Sequence, residues 1–181
     1  MDHKIHNQED EEKQDQDEHM EKWQGCVVAK LRQATANKVW PLVGDFLSLN
    51  KWMPNIIAVC ELVDGVPGQA GCLRYCTSAP ATDITGASSV FWAKERLLSS
   101  DPSGHSLSYE ITENNMGFTR YVATLKVVAG FGDDDEGCSL EWSFESDPVE
   151  GWTQESFVSY LQNGLDAMAA NVEEVLHDLH A

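Results

Sequence analysis

Residues 151–181 read GWTQESFVSYLQNGLDAMAANVEEVLHDLHA, and this stretch decides the fold. Phe157, Leu161, Gly164, Met168, Val172, Val175 and Leu179 recur at steps of three and four, which on a helical wheel confines them to a band of roughly 80°. Glu155, Gln162, Asp166, Glu173 and His177 fall on the opposite side. The spacing predicts one amphipathic helix of about 27 residues, reaching about 40 Å. A stripe of that length needs an equally long partner surface, and the strand-like sequence ahead of it points to a curved antiparallel sheet. Gly164 sits mid-stripe, where it costs about 1 kcal/mol relative to Ala. Two readings of it are open: close packing of helix on sheet, or a helix kept slim where a ligand must fit.

Working outward, strand character begins at residue 22, where Val27, Ala29 and Leu31 alternate with Val28, Lys30 and Arg32. Thr35 offers an N-cap to a short helix through Phe46 that carries Val39, Trp40, Val43 and Phe46 on one side, with Pro41 constraining its early turns. A second short helix over 47–53 is stopped by Pro54. Residues 56–62 read as a buried strand, and Asp64-Gly65 with Pro67-Gly68 supplies a turn. Five more strands are expected at 72–78, 89–98, 106–113, 118–128 and 139–145, separated by loop chemistry at 101–104, 114–117 and 130–137. The acidic run Asp133–Glu136 in the last loop has two readings, a calcium loop or the plainer solvated hairpin end. The predicted class is α+β: a seven-stranded antiparallel sheet wrapped around a long C-terminal helix, with two short helices after strand one.

Composition narrows the function. A chain of 181 residues makes one domain with a core able to hold itself together without metal or disulfides. Residues 1–21 carry nine acids against Lys4 and Lys13 and only three apolar side chains, so they read as a disordered acidic tail ahead of a domain at 22–181. His3, His6 and His19 within it could hold a metal weakly, but a solvated tail is the simpler reading. The net charge of −18 argues against nucleic acid and anionic membranes, which want a basic face. No apolar run approaches a membrane span of about 20 residues. Five cysteines (Cys26, Cys60, Cys72, Cys76, Cys138) form no CxxC pair, which makes a disulfide framework improbable and a reducing cytosol or nucleus the expected setting. No nucleophile motif, glycine-rich nucleotide loop or metal-ligand spacing is present, so no metal and no cofactor are expected.

Period two assigns the side chains that face inward. In 89–98 the more apolar face carries Phe91, Ala93, Glu95 and Leu97, which turns a lone carboxylate toward the core. The apolar faces of the next strands are Leu107, Tyr109 and Ile111, then Tyr121, Ala123, Leu125 and Val127, then Leu140, Trp142 and Phe144. In 72–78 the two parities, Cys72/Arg74/Cys76 and Leu73/Tyr75, do not decide between themselves. An inward Arg74 would give Glu95 the cation that a buried carboxylate needs. With both inside, the interior is an apolar pocket holding a guanidinium, a carboxylate and two phenols. Such a pocket suits a small, mostly apolar or amphipathic molecule with one polar head. Arg74 could hold an oxyanion and Glu95 could move a proton, or the two could form a structural bridge and nothing more.

Several motifs then resemble one family: VWPLVGDF at 39–46, KWMP at 51–54, CELV at 60–63, GCLRY at 71–75, FWAKERL at 91–97 and EGWTQESF at 150–157. Together they resemble the plant lachrymatory factor synthases, within the superfamily of START proteins, polyketide cyclases and the birch-pollen allergen. The resemblance implies a helix-grip fold over a ligand cavity. In that family an arginine in the GCxRY strand and a glutamate in the WAKE strand carry the rearrangement of a small alkenyl sulfenic acid to a thial S-oxide. Those positions match Arg74 and Glu95, and tyrosines lining that site match Tyr109 and Tyr121. Phe91, Trp142, Leu161, Gly164 and Met168 complete the expected lining. The connection 77–89 departs from the pattern, being longer and without the family's acidic run. The chain is also similar in outline to abscisic acid receptors, with Lys51 where they place a ligand-anchoring lysine and residues 78–82 near their gate loop. Their His-Arg-Leu latch is missing at 114–118. The expectation is an isomerase of lachrymatory-factor-synthase type, the alternative a carrier or sensor of a small lipid, hormone or phenolic metabolite.

Overall fold

Period-two patterning needs a sheet with one covered face. In the computed structural model, which describes residues 21–82, 84–130 and 137–179, that sheet has seven strands. The chain runs β1 (Trp23–Leu31), α1 (Ala36–Val43), α2 (Leu49–Trp52), β2 (Val59–Asp64), β3 (Leu73–Thr77), β4 (Ala81–Thr82), β5 (Ser88–Ser89), β6 (Trp92–Asp101), β7 (Ser106–Asn114), β8 (Tyr121–Ala129), β9 (Cys138–Ser146) and α3 (Gln154–Asp178). The main sheet has the order β1-β9-β8-β7-β6-β3-β2, every pair antiparallel, and β4 with β5 makes a separate two-stranded ribbon. This is the α+β helix-grip architecture expected from the sequence. The acidic segment 1–20, its three histidines and the loop 131–136 lie outside the described residues.

Helix α3 starts where a cap can form. Thr153 Oγ1 accepts from the Ser156 amide at 3.1 Å while Ser156 Oγ accepts from the Thr153 amide at 3.0 Å, so two otherwise unpaired N–H groups are satisfied. The inner face buries Phe157, Leu161, Gly164, Leu165, Met168, Ala169 and Val172. The stripe was expected to continue through Val175 and Leu179, but these are 40% and 72% exposed. The reason is where β1 stops: Glu173 Oε1 accepts from the backbone N–H groups of Arg32 and Gln33, just past the strand's end, and the helix runs on beyond the sheet.

The polar side of α3 also has a task that wheel patterning does not reveal. β1 is an edge strand, whose outward N–H and C=O groups need partners. Gln162 supplies both, accepting from the Val28 amide and donating to the Val28 carbonyl at 2.9 Å, and Gln154 donates to the Gln24 carbonyl at 3.0 Å.

The short helices close the other side. Thr35 stands at the N-cap of α1 in an extended conformation, and its carbonyl accepts from Lys38 and Val39, although its side chain makes no cap bond. The helix ends at Val43, three residues short of the expected bound: the Gly44 amide closes the last turn on the Trp40 carbonyl, and Phe46 lies in the turn beyond it. Trp52 of α2 is pinned twice, its indole donating to the Leu42 carbonyl at 3.0 Å and its carbonyl accepting from Asn171 of α3 at 2.9 Å. Residues 56–62 are not the buried strand expected. The strand begins at Val59, lies at the sheet edge and is exposed from Glu61 onward, while Ile56 and Ile57 sit in the turn after α2.

Candidate functional site

Strand pairing brings the two charged groups together. Arg74 on β3 and Glu95 on β6 are direct cross-strand partners, and both side chains point to the covered face, at 4% and 8% exposure. The guanidinium grips the carboxylate through Nε at 2.6 Å and Nη2 at 2.5 Å, both to Oε2. Its third arm, Nη1, donates to the Phe46 carbonyl, and its carbon lies 3.9 Å from the centroid of the Phe46 ring. Burial is the largest single influence on Arg74 and acts to lower its pKa, but the Glu95 carboxylate together with Cys76, Tyr109 and Cys60 raises it, and the net shift is upward. The inward parity of β3, which patterning left undecided, is therefore the one that pairs charge with charge. Because both bonds fall on Oε2, Oε1 is the carboxylate oxygen not engaged by the guanidinium.

Glu95 lines a cavity of about 590 Å³ between the sheet, α3 and the α2 turn. Tyr109, Tyr121 and Trp142 rise from the sheet, Phe157, Tyr160 and Leu161 come from α3, and Leu49, Met53, Ile56 and Ile57 come from α2 and its turn. Residues Ser78–Ala81, Met116 and Trp152 border it, with Phe91 and Trp152 48% and 42% exposed. Burial first of all raises the pKa of Tyr109 and Tyr121 well above the ordinary 10, so both phenols stay protonated at neutral pH and can donate. Trp142 Nε1, also buried, interacts with the Tyr121 phenol without a well-formed hydrogen bond. The lining is thus mostly apolar with a small set of polar groups, Glu95 and the phenols among them, a pattern suited to an amphipathic guest.

The expected lining residues divide. Tyr109, Tyr121, Phe91, Trp142 and Leu161 border the large cavity with Glu95. Arg74 and Met168 instead line a recess of only about 20 Å³ behind it, which Tyr109 and Trp142 share. A Cβ on Gly164 would come within 2.7 Å of Met53 Cε, so this glycine lets the α2 turn, rather than the sheet, pack close to the helix. Lys51 is exposed on α2 and does not border the cavity, because the neighbouring Trp52 takes the inward direction of that single turn. Met53, Ile56, Ile57, Cys76 and Tyr160 were not singled out from sequence. Ile56 and Ile57 were absorbed into a strand, and Tyr160 lies outside the helical stripe.

Among the described residues no group of three or more His, Cys, Asp or Glu side chains could hold a metal, and no helix is long and apolar enough to cross a membrane.

Known structures share this arrangement of sheet and helix. The protein XoxI of Bacillus cereus is 22% identical with a TM-score of 0.65, covering 87% of this chain and 98% of its own. A Thermobifida fusca protein is 25% identical with a TM-score of 0.61, over 84% and 93%. Ginseng major latex-like protein 151, from Panax ginseng, is 16% identical with a TM-score of 0.59, over 84% and 97%. Residues 27–175, from the first fully buried side chain of β1 to the last turns of α3, match the family described as polyketide cyclase / dehydrase and lipid transport. The fold, the cavity it encloses and that match lead to one conclusion: this chain belongs to the polyketide cyclase / dehydrase and lipid transport family.

Proposed function

We propose that this protein binds a mostly apolar small molecule in the cavity and isomerises it by proton transfer through Glu95, in the manner of a lachrymatory factor synthase. The observation that carries the reading is the buried Glu95 carboxylate, held by Arg74 through one oxygen while the side chain lines an apolar cavity. For an alkenyl sulfenic acid, Glu95 takes the proton from the S–O–H oxygen. The O–H pair becomes the S=O bond. The alkene π pair collects the proton from Glu95 at the far carbon while a sulfur lone pair makes the carbon–sulfur bond double, giving the thial S-oxide with no net gain or loss of atoms. Arg74, behind the cavity wall, orients the carboxylate and sets positive charge at that end of the site. Tyr109 and Tyr121 donate to the polar head.

A second reading, a carrier without turnover, draws support from size. A cavity of about 590 Å³ is in the range that suits drug-sized guests, larger than a three-carbon sulfenic acid requires. One experiment separates the two. The purified protein is given freshly generated 1-propenyl sulfenic acid, and thial S-oxide is followed by mass spectrometry. Product above the uncatalysed level that disappears in Arg74→Leu and Glu95→Gln, with both variants folded by circular dichroism, supports the isomerase. No such product, with a metabolite retained in native mass spectra of the protein from its source tissue, supports the carrier.

A further inference from the structure

The cavity wall carries a second chemistry that proton transfer does not use. Cys60 on β2 and Cys76 on β3 are direct cross-strand partners, and the Cys76 thiol donates to the Cys60 sulfur at 3.4 Å. Opposed residues of antiparallel strands hold their Cα atoms about 4.5 or about 5.5 Å apart. Both separations fall inside the span of about 4.4–6.8 Å that a disulfide bridges. The pair can therefore be joined by side-chain rotation alone.

The two thiols are unlike in character. Cys76 borders the cavity, whereas Cys60 is half-buried on the edge strand, its sulfur 3.9 Å from the Phe46 carbonyl that also receives Arg74. The hydrogen bond from Cys76, reinforced against burial by the charge of Arg74, lowers the Cys60 thiol to about 7. The same bond, with burial, pushes Cys76 up. One sulfur is set as the nucleophile and the other as the proton-bearing partner. Cys26, Cys72 and Cys138 all have raised pKa values, chiefly through burial, and none has a cysteine opposite it in a strand pair.

We propose that Cys60 and Cys76 form a reversible oxidation site that takes a hydroperoxide as oxidant and closes to a disulfide in the cavity wall. The Cys60 thiolate attacks one oxygen of the hydroperoxide. An S–O bond forms, the O–O bond breaks, and the departing alkoxide or hydroxide leaves protonated, as an alcohol or water. The Cys76 sulfur then attacks the sulfenic sulfur of Cys60. The S–S bond forms, the S–O bond breaks, and the hydroxide leaves as water with the Cys76 proton. The two thiols lose two electrons and two protons in all, and a dithiol returns them. This fits a reducing compartment, where disulfides are transient and sensing.

The test uses the full-length protein, exposed to hydrogen peroxide, alkylated, and digested without reduction. Cleavage after Arg74 and after Glu61 separates Cys60 from both Cys72 and Cys76. The expected result is a peptide linked Cys60 to Cys76, lost on treatment with dithiothreitol, with Cys72 and Cys138 still alkylated. Cys76→Ser should leave a Cys60 sulfenic acid that dimedone traps, and Cys60→Ser should leave Cys76 fully alkylatable. Two outcomes would overturn the assignment: Cys60 and Cys76 both still alkylated under conditions that oxidise the exposed Cys26, or Cys60 linked to Cys26 of a second molecule instead of to Cys76.

Discussion

Glu95→Gln preserves the shape of the side chain and removes its charge, so it isolates what the buried pair contributes. Arg74 and Glu95 are 4% and 8% exposed and joined by contacts of 2.6 and 2.5 Å. Removing one member of such a pair leaves the other charged where water cannot solvate it, at a cost of about 3–5 kcal/mol. The amide oxygen still accepts one guanidinium N–H, which puts the variant at the lower end, about 3 kcal/mol. In a domain of this length 1 kcal/mol moves the melting midpoint by about 2–4 °C, so a fall of about 6–12 °C is expected. Lys94 and Glu113 supply the control. They pair at 2.8 Å on the same sheet, but their side chains are 31% and 58% exposed, and Glu113→Gln should cost no more than about 1 kcal/mol. Replacing both buried partners, Arg74→Leu with Glu95→Leu, removes both desolvated charges and should recover most of the loss. Thermal and urea denaturation followed by circular dichroism read all four proteins. A Glu95→Gln variant as stable as the parent, or a double variant no better than the single, would refute the reasoning.

Other expectations follow from the same geometry. Asp147 is buried and accepts from Arg120 and Thr119 at 2.8 Å, and the bond from Arg120 first of all holds its pKa below the ordinary carboxylate value. Its contribution is therefore fully present above the unfolded value of about 3.9 and is lost as pH falls through the lower folded value. Asp147→Asn should destabilise at neutral pH and flatten the acid limb of stability against pH; an unchanged acid limb would count against it. Leu165→Ala, at a fully buried position of α3, should cost about 2–5 kcal/mol, whereas Val175→Ala, past the end of the sheet, should stay within about 0.5 kcal/mol. Equal losses in denaturant would mean that the helix is covered along its whole length. Gly164→Ala gains about 1 kcal/mol of helix propensity but pushes the flexible end of Met53 aside, toward the cavity it lines. Stability should change by no more than about 1 kcal/mol, while affinity for an apolar fluorescent probe falls; an unchanged affinity would place Met53 elsewhere.

Much of the site was legible because alternation reports the covered face of a strand directly. Glu95, Tyr109, Tyr121 and Trp142 were each placed inward by their neighbours' hydropathy, and each borders the cavity. Arg74 was not legible that way, since Cys72 and Cys76 on one parity balance Leu73 and Tyr75 on the other. What decides it is the charge across the strand pair, a non-local term. β2 was misplaced because Ile56 and Ile57 are apolar for the cavity's sake rather than for a strand's, and nothing within a strand marks it as an edge. The β4–β5 ribbon has only two residues a side and is polar at Ser88 and Ser89, too short for any period to register. Val175 and Leu179 continue the helical stripe, but how far a sheet extends beneath a helix is set by the strand it meets, here β1 ending at Leu31.

The central claim is that Glu95 carries the proton within the cavity, and the most direct measurement is the turnover of 1-propenyl sulfenic acid by Glu95→Gln and by the parent protein, each first shown to bind the same apolar probe. A general acid–base group contributes about 10²–10⁴-fold, so the variant's rate should fall by that factor while probe affinity holds. Equal rates in the two proteins would contradict the account.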